Sequence, residues 1–341
     1  MELTPTERRM NIKQKFEKLF NNEMSESEAR TFLIDLYEKG ESGSDIAAAA
    51  AVMREHSIKL PLSAELQEKA IDVVGTGGDK SGSFNISTTV SLLLASLGCV
   101  VAKHGNRSIT SNSGSADVLE ALGINLNLSV ENQIKMLEET GFCFIFAMNH
   151  HPAMKHIMPI RKSIDHRTIF NILGPLTNPA GAKKYLLGVF DPLYIKRMAE
   201  ALLELDTKRA FVVSSQDGMD EISLACNTSF AYVEDNRISQ GEINPAAFGF
   251  KQTPKEAILG GDATFNAQIT RDIFSGEERG AKRDIVVLNA AFALFVDGNV
   301  RDIQEAIAMA ESGLDSGKAG EHLVLMADVS QQLASTSSAT E

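Results

Sequence analysis

Residues 71–123 read IDVVGTGGDKSGSFNISTTVSLLLASLGCVVAKHGNRSITSNSGSADVLEALG, and the same pattern occurs in them twice: strand, glycine-containing loop, helix. Ile71-Asp72-Val73-Val74 reads as a short buried strand that runs into Gly75-Thr76-Gly77-Gly78-Asp79. Ser87 is placed to cap an apolar-periodic helix over 88–97. A second strand over 99–102 breaks into Lys103-His104-Gly105-Asn106-Arg107, and a helix over 116–122 follows Ser113-Gly114-Ser115. In a parallel α/β sheet, both loops lie at the carboxyl ends of their strands, where such folds bind ligands.

The residues of these loops suit a polyanion. Glycine lets several backbone N–H groups approach one anion, and each loop feeds a helix N-terminus that favours negative charge. Lys103 and Arg107 add positive charge, and Ser83, Ser87, Thr88, Ser108 and Ser115 add hydroxyl donors. Asp79 points the other way: a carboxylate beside phosphates needs a metal ion or a sugar hydroxyl. A sugar carrying more than one phosphate group meets all of these demands. Two familiar phosphate motifs fail. Lys80 stands where the dinucleotide fingerprint needs its third glycine, and Gly82-Ser83 lacks the P-loop lysine.

Composition narrows the class. A chain of 341 residues accommodates an α/β core and a smaller lobe. Its net charge of -12 argues against general nucleic-acid binding and requires any polyphosphate site to gather its cations locally, as Lys103, Arg107 and Arg161 would. Cys99, Cys143 and Cys226 show no C-x-x-C spacing and read as core thiols of a reducing compartment. No apolar run approaches membrane-spanning length, and the N-terminus lacks a signal-peptide core, so the expected location is cytoplasmic.

The flanking segments define a second lobe. Apolar spacing predicts helices over 11–20, from the Ser25-Glu26-Ser27-Glu28 capping box to about residue 38, and from Ser44 or Asp45 through the 47–51 alanine run to about 56. Pro61 and Ser63 mark the joint to the α/β part. Met10 offers an alternative translation start, which would make residues 1–9 a dispensable extension. Helices or strands are also expected over 130–140, 142–147, 184–189, 195–205 and 209–214, then a hairpin around 234–236 and four helices ending at 329. A Ser/Thr/Ala/Gln tail over 330–341 is expected to be disordered.

Three further groups invite chemistry. Three histidines, His150, His151 and His156, suggest a metal, but His151 and His156 are five positions apart, about 140° around a helix, and do not share a face. Arg161 is either a solvated arginine or a planar fork for a carboxylate, with Arg167 as its competitor. Asp217-Gly218-Met219-Asp220-Glu221, at a strand's carboxyl end, is either a solvated acidic turn or an oxygen ligand set for a hard cation such as Mg²⁺. It is not an EF-hand, because the other ligand positions are missing.

GTGGD, the Asn85-Ile86-Ser87-Thr88 run, KHGNR and SGSADVLEALG resemble the signatures of the anthranilate phosphoribosyltransferase family, and the resemblance extends over roughly residues 10–328. It implies a large domain with a mostly parallel sheet flanked by helices, plus a small all-helical domain, as in nucleoside phosphorylases. The small domain would comprise 1–66 and about 158–185, and the catalytic domain 67–157 and 186–329. The resemblance implies that 5-phosphoribosyl 1-diphosphate binds Gly75, Gly78, Asp79, Ser83, Asn85, Ile86, Ser87, Thr88, Lys103, His104, Gly105, Asn106, Arg107, Ser108, Ile109, Thr110, Ser111 and Ser115. It places anthranilate against Gly75, Asn106, Arg161 and His151, and magnesium, two ions per monomer, on Ser87, Asp220 and Glu221. It further implies a homodimer through the helical lobe. No dedicated general base is expected, because an aromatic amine is already neutral at pH 7. Two alternatives are a pyrimidine nucleoside phosphorylase and a non-catalytic nucleic-acid-binding relative; the paired carboxylates oppose the first and the acidic charge the second.

Overall fold

Seven strands form one sheet in the order β3-β2-β1-β4-β5-β6-β7. The computed structural model describes residues 5–107 and 113–337. The strands are β1 (Ile71–Gly75), β2 (Val101–Gly105), β3 (Phe142–Phe146), β4 (Lys184–Gly188), β5 (Arg209–Ser215), β6 (Thr228–Glu234) and β7 (Arg237–Ile243). β1 to β5 are parallel; β6 and β7 add an antiparallel edge, turning through Asp235 and Asn236, both at positive φ. This is the mixed α/β architecture expected from the sequence.

Side-chain alternation divides the core between the two faces of the sheet, since neighbouring strand residues point to opposite sides. Ile71, Val73, Val101, Phe142, Phe144, Leu186, Phe211 and Val213 pack on one face with the helices Ile86–Ser96 and Ala281–Asp297. Val74, Ala102, Cys143, Ile145, Tyr185, Leu187, Ala210 and Val212 pack on the other, with the N-terminal helices Pro5–Phe20, Glu26–Lys39 and Gly43–Glu55. Continuous burial on both faces is what a parallel sheet requires. Small side chains at Ala47–Ala50 let the third N-terminal helix lie close to the helix Leu193–Glu204. Gly43 sits so near Glu200 that a Cβ there would meet it at 2.5 Å.

The structure corrects four local expectations. β2 extends through Lys103-His104-Gly105, because that segment continues its ladder with β3 to Gly105 opposite Phe146. Ser87 is not a cap: the helix starts at Ile86 behind Asn85, and Ser87 lies in its first turn. The third N-terminal helix is capped by Ser42 in a capping box with Asp45, not by Ser44 or Asp45. The last helix runs from Lys318 to Ser337, so residues 330–337 are helical. Its polar composition conceals tertiary anchors: the Asn125 N–H donates to Ser330 Oγ at 2.8 Å, and Asn132 Nδ2 donates to Leu333 O at 2.8 Å. At the other end, Arg8 pairs at 2.5 Å with Asp45, whose side chain is 1% exposed, which gives Arg8, ahead of Met10, a structural part.

Candidate active site

The strand order places a crevice. From β1 the chain winds outward to β2 and β3, then returns to β4 on the other side of β1, so its direction reverses between β1 and β4. Ligands bind at the carboxyl ends of strands flanking such a reversal. Both strands end there in glycine, Gly75 opposite Gly188. Neither needs positive φ; what each supplies is room. A Cβ on Gly75 would collide with the Asp220 carboxylate, and one on Gly188 with the Asp220 backbone.

Asp220 occupies that room and accepts a hydrogen bond from the Gly77 N–H at 2.7 Å. Carboxylate oxygens of Asp79, Asp220 and Glu221 lie within 4.8 Å of one another. Asp79 Oδ2 and Glu221 Oε2 are buried without a hydrogen-bond partner. Burial raises the pKa of Asp220, and the nearby Asp79 charge raises it further. Burial, then Asp220 and Asp79, push Glu221 well above the usual range. Asn289 fixes the backbone behind the pair: its Oδ1 accepts from the Ile222 N–H at 3.0 Å, and its Nδ2 donates to Ile222 O at 2.9 Å. Three crowded carboxylates, two of them with an unpartnered oxygen, suit a hard divalent cation, for which oxygen is the preferred donor.

Lys103 supplies the built-in counter-charge. It is 1% exposed, on the same face as Val73, and donates to Val73 O at 2.6 Å and Ser87 Oγ at 3.4 Å. Burial lowers its pKa to about 8, against the attraction of Asp72, Glu221 and Asp220. It therefore remains largely protonated at pH 7. Asp72, on the opposite face, is raised to about 7 by burial despite Lys103 and despite hydrogen bonds from Asn178 Nδ2 and the His104 N–H.

The two glycine loops are neighbours. Asn85, ahead of the first helix, donates from Nδ2 to Ser113 O at the end of the second loop, 3.3 Å away, and accepts from Asn266 Nδ2 at 2.8 Å. Gly78 and Asn106 are exposed beside this junction, while Ile86 and Thr88 turn their side chains into the core. Ser83 bridges to Leu259, and the Gly260 N–H donates to Gly82 O at 2.9 Å. The Gly260-Gly261-Asp262 turn thus buttresses the first loop. Gly105 ends β2 against Phe144, and Ser115 opens the helix Ser115–Ala121. Ser108, Ile109, Thr110 and Ser111 lie outside the described residues.

Other candidates separate. Arg107 turns to the acids of the following helix, donating to Asp117 at 2.8 Å and through two nitrogens to Glu120 at 2.6 Å. His104 faces away from Lys103, with Nδ1 3.1 Å from Gly174 O and Nε2 3.2 Å from His151 Nε2. Burial lowers His104 to about 3 and His151 to about 4, so both are neutral at pH 7. His150 and His156 go to backbone and core partners, His150 to Ile58 O and Gln133 and His156 to Leu19 O. Arg161 closes the helix Met154–Lys162, and burial lowers its pKa. Among the described residues no hydrogen bond or ion pair holds its guanidinium. Arg167, its rival in the sequence, instead donates to Gly78 O at 2.8 Å.

Sequence reading missed Asp72, Gly188, Asn289 and the part of Asp79 in the carboxylate cluster. Only Asp79 carried a signal, as a charge out of place in a phosphate loop. The others are single residues in strands and helices whose significance comes from strand pairing.

The family model described as "Glycosyl transferase family, a/b domain" matches residues 67–320. The chain is 46% identical over 296 residues to the anthranilate phosphoribosyltransferase of Rubrobacter xylanophilus, covering 87% of this chain and 85% of that one. It is 44% identical over 307 residues to that of Methanobrevibacter smithii, covering 90% of each. Among solved structures, the anthranilate phosphoribosyltransferase of Thermus thermophilus superposes with a TM-score of 0.89 at 39% identity, covering 95% of both chains. The Saccharomyces cerevisiae enzyme, solved in complex with PRPP and Mg, gives 0.81 at 26% identity, covering 90% of this chain and 86% of that one.

Proposed function

This chain belongs to the anthranilate phosphoribosyltransferase family, and on that premise we propose how its own residues divide the work. The enzyme transfers the 5-phosphoribosyl group from 5-phosphoribosyl 1-diphosphate to the amine of anthranilate, releasing diphosphate, in tryptophan synthesis. The observation that carries the residue assignment is the meeting of Asp79, Asp220 and Glu221 beside two neighbouring glycine loops at the β1/β4 reversal.

The donor lies along the two loops. The backbone N–H after Gly78, the first turn of the helix from Ile86, and the Ser115 helix start present donors to its phosphates, while Gly75 supplies room at the strand end. Lys103 holds a fixed positive charge beneath them. Asp79, Asp220, Glu221 and Ser87 would hold Mg²⁺, two ions per monomer in this reading, which when bound neutralises charge on the diphosphate and makes it a better leaving group. Arg161 orients the anthranilate carboxylate with its planar fork, beside Asn106, Gly75 and the neutral His151. Catalysis is then positioning and electrostatics. His104 and His151, held neutral far below their usual pKa, are weak bases, in keeping with an amine that needs no prior deprotonation.

The small helical lobe, 1–66 with 158–185, is assigned to dimerisation, and the remainder through 329 to catalysis. Among the described residues no helix is long and apolar enough to cross a membrane; we place the enzyme in the cytoplasm, acting on small molecules and not on nucleic acid.

Loss of anthranilate fluorescence on adding 5-phosphoribosyl 1-diphosphate, with and without Mg²⁺, tests the activity; no loss in either arm would refute it. Arg161→Ala tests the acceptor assignment. The KM for anthranilate rises at least tenfold, the scale of a lost charge-assisted pair, while the donor KM stays within about twofold. Equal rises would remove Arg161 from the acceptor site.

A further inference from the structure

Arg167 is exposed, six positions beyond Arg161, and unused by the assignment above. Its guanidinium carbon lies 3.5 Å from the centroid of the Phe190 ring, and its Nη2 donates to Gly78 O at 2.8 Å. Phe190 is tied to the same loop from below: its N–H donates to Thr76 Oγ1 at 3.1 Å, and the Thr76 N–H donates to Gly188 O at 3.0 Å. Thr76, Phe190, Arg167 and Gly78 therefore form a closed circuit around the first glycine loop.

The second half of that loop is held by the Gly260 N–H to Gly82 O bond and by the Ser81 N–H to Asp79 Oδ1 bond at 3.3 Å; its Gly77-Gly78 half is held differently. Gly77 and Gly78 both adopt positive φ, at 66° and 74°, and glycines that free to turn need external contacts to select one conformation. Two contacts select it here. The Gly77 N–H is held by Asp220 from inside the crevice, and the Gly78 carbonyl by Arg167 from outside. Because a peptide's C=O and the following N–H point in opposite directions, pulling the Gly78 carbonyl outward turns the Asp79 N–H inward. The next residue along the chain, Asp79, carries the carboxylate that lies within 4.8 Å of those of Asp220 and Glu221. The backbone carrying Arg167 is itself fixed: the His166 ring stacks on Tyr37 with centroids 4.2 Å apart, and the Thr168 N–H donates to Asn171 Oδ1 at 2.9 Å.

We propose that Arg167 is a positioning residue for the donor site, clamping the Gly78 peptide through the Phe190 ring so that the first glycine loop presents its N–H groups and Asp79 to the diphosphate. The clamp acts on the donor loop alone, through the Gly78 carbonyl and the Phe190 ring. This deepens the transferase reading and rests on it.

The test is calorimetric binding of 5-phosphoribosyl 1-diphosphate with Mg²⁺ to the full chain, for wild type, Arg167→Met, Arg167→Lys and Phe190→Leu. Arg167→Met keeps apolar cover over the ring but has no donor, and it weakens donor binding about tenfold, the loss of one charge-assisted hydrogen bond. Arg167→Lys keeps a donor without the planar stack and recovers part of the loss. Phe190→Leu weakens binding severalfold, and combined with Arg167→Met adds little, because both break one circuit. In steady state the donor KM rises while the anthranilate KM stays within about twofold, the reverse of Arg161→Ala. Unchanged donor affinity in Arg167→Met overturns the proposal. So does an equal rise in both KM values with a lowered thermal midpoint, which marks general destabilisation. The binding arm contains no acceptor, so it stays readable if anthranilate were not the acceptor. Absence of any donor binding by wild type would instead refute the transferase reading.

Discussion

The two glycine loops hold their charges in different ways. In the first, the charged groups are caught in tertiary structure: Asp79 meets Asp220 and Glu221, the Gly77 N–H is held by Asp220, and Arg167 fixes Gly78. In the second, the exposed cation Arg107 is satisfied locally by Asp117 and Glu120 of the following helix. The first loop is thus an assembled site with an excess of buried negative charge. The second keeps its positive charge neutralised until something competes for it. One is organised by packing, the other by surface electrostatics, and they should fail differently.

The sharpest break is at the floor of the first loop. Gly188→Ala drives a methyl into the Asp220 backbone, and a shift of about 1 Å there is expected to reduce kcat/KM about a hundredfold or more, with a lower thermal midpoint from overpacking. Unaltered kinetics would show that Asp220 can move without consequence.

Asp220→Asn should separate function from stability. Donor binding with Mg²⁺ is lost, yet without divalent cation the thermal midpoint at pH 8 rises by about 2–4 °C, because one crowded buried charge is gone. The sign follows from linkage. Carboxylates raised by burial contribute stability that is present below their unfolded values and lost as pH rises through the folded ones. In wild type, Mg²⁺ should therefore stabilise more at pH 8 than at pH 5. A midpoint unmoved by Mg²⁺ at either pH would contradict the cluster's assignment.

Beneath the second loop the sign reverses. His104 and His151 are depressed to about 3 and about 4, so the unfolded chain binds protons that the native state excludes. Stability is retained above about 6.5 and falls as pH drops toward 4, each unit of depression being worth about 1.4 kcal/mol. His151→Gln should flatten that acid slope; a slope unchanged by the substitution would assign it elsewhere.

The smallest effect tests the local latch. Glu120→Gln frees Arg107 from its bidentate partner while leaving Asp117 to cap Gly114. If Arg107 turns to the diphosphate, the donor Kd falls about two- to fourfold, the range of an exposed ion pair. Weaker binding would mean that the acid pair positions Arg107 and does not compete for it.

Much of this was legible along the chain. Glycine loops between strand and helix, a lysine and arginine between them, and the Asp220-Glu221 pair are local patterns, and local patterns survive in a sequence. The N-terminal helices announced themselves through apolar spacing and the Ser25–Glu28 capping box, which forms as written. Lys103 was legible as a cation but not as a buried one, because its strand was ended too early. Arg107 was legible as a charge but not as a paired one, since its partners lie 10 and 13 residues on, across a helix start. Disorder was expected of residues 330–337, which are helical, because their anchors, Asn125 and Asn132, are about two hundred residues away.

What the amino-acid order determined alone was the kind of chemistry: N–H-rich loops for a polyanion, hydroxyls, a lysine, and carboxylates fit for a hard cation. Those properties belong to residue types and short spacings. Only the fold decided which groups meet. Gly75 and Gly188 are 113 positions apart in the chain yet opposite in the sheet, and the space they leave is what admits Asp220 to Asp79. Register and strand order, set by burying apolar side chains on both faces of the sheet, turned a list of suitable residues into one site.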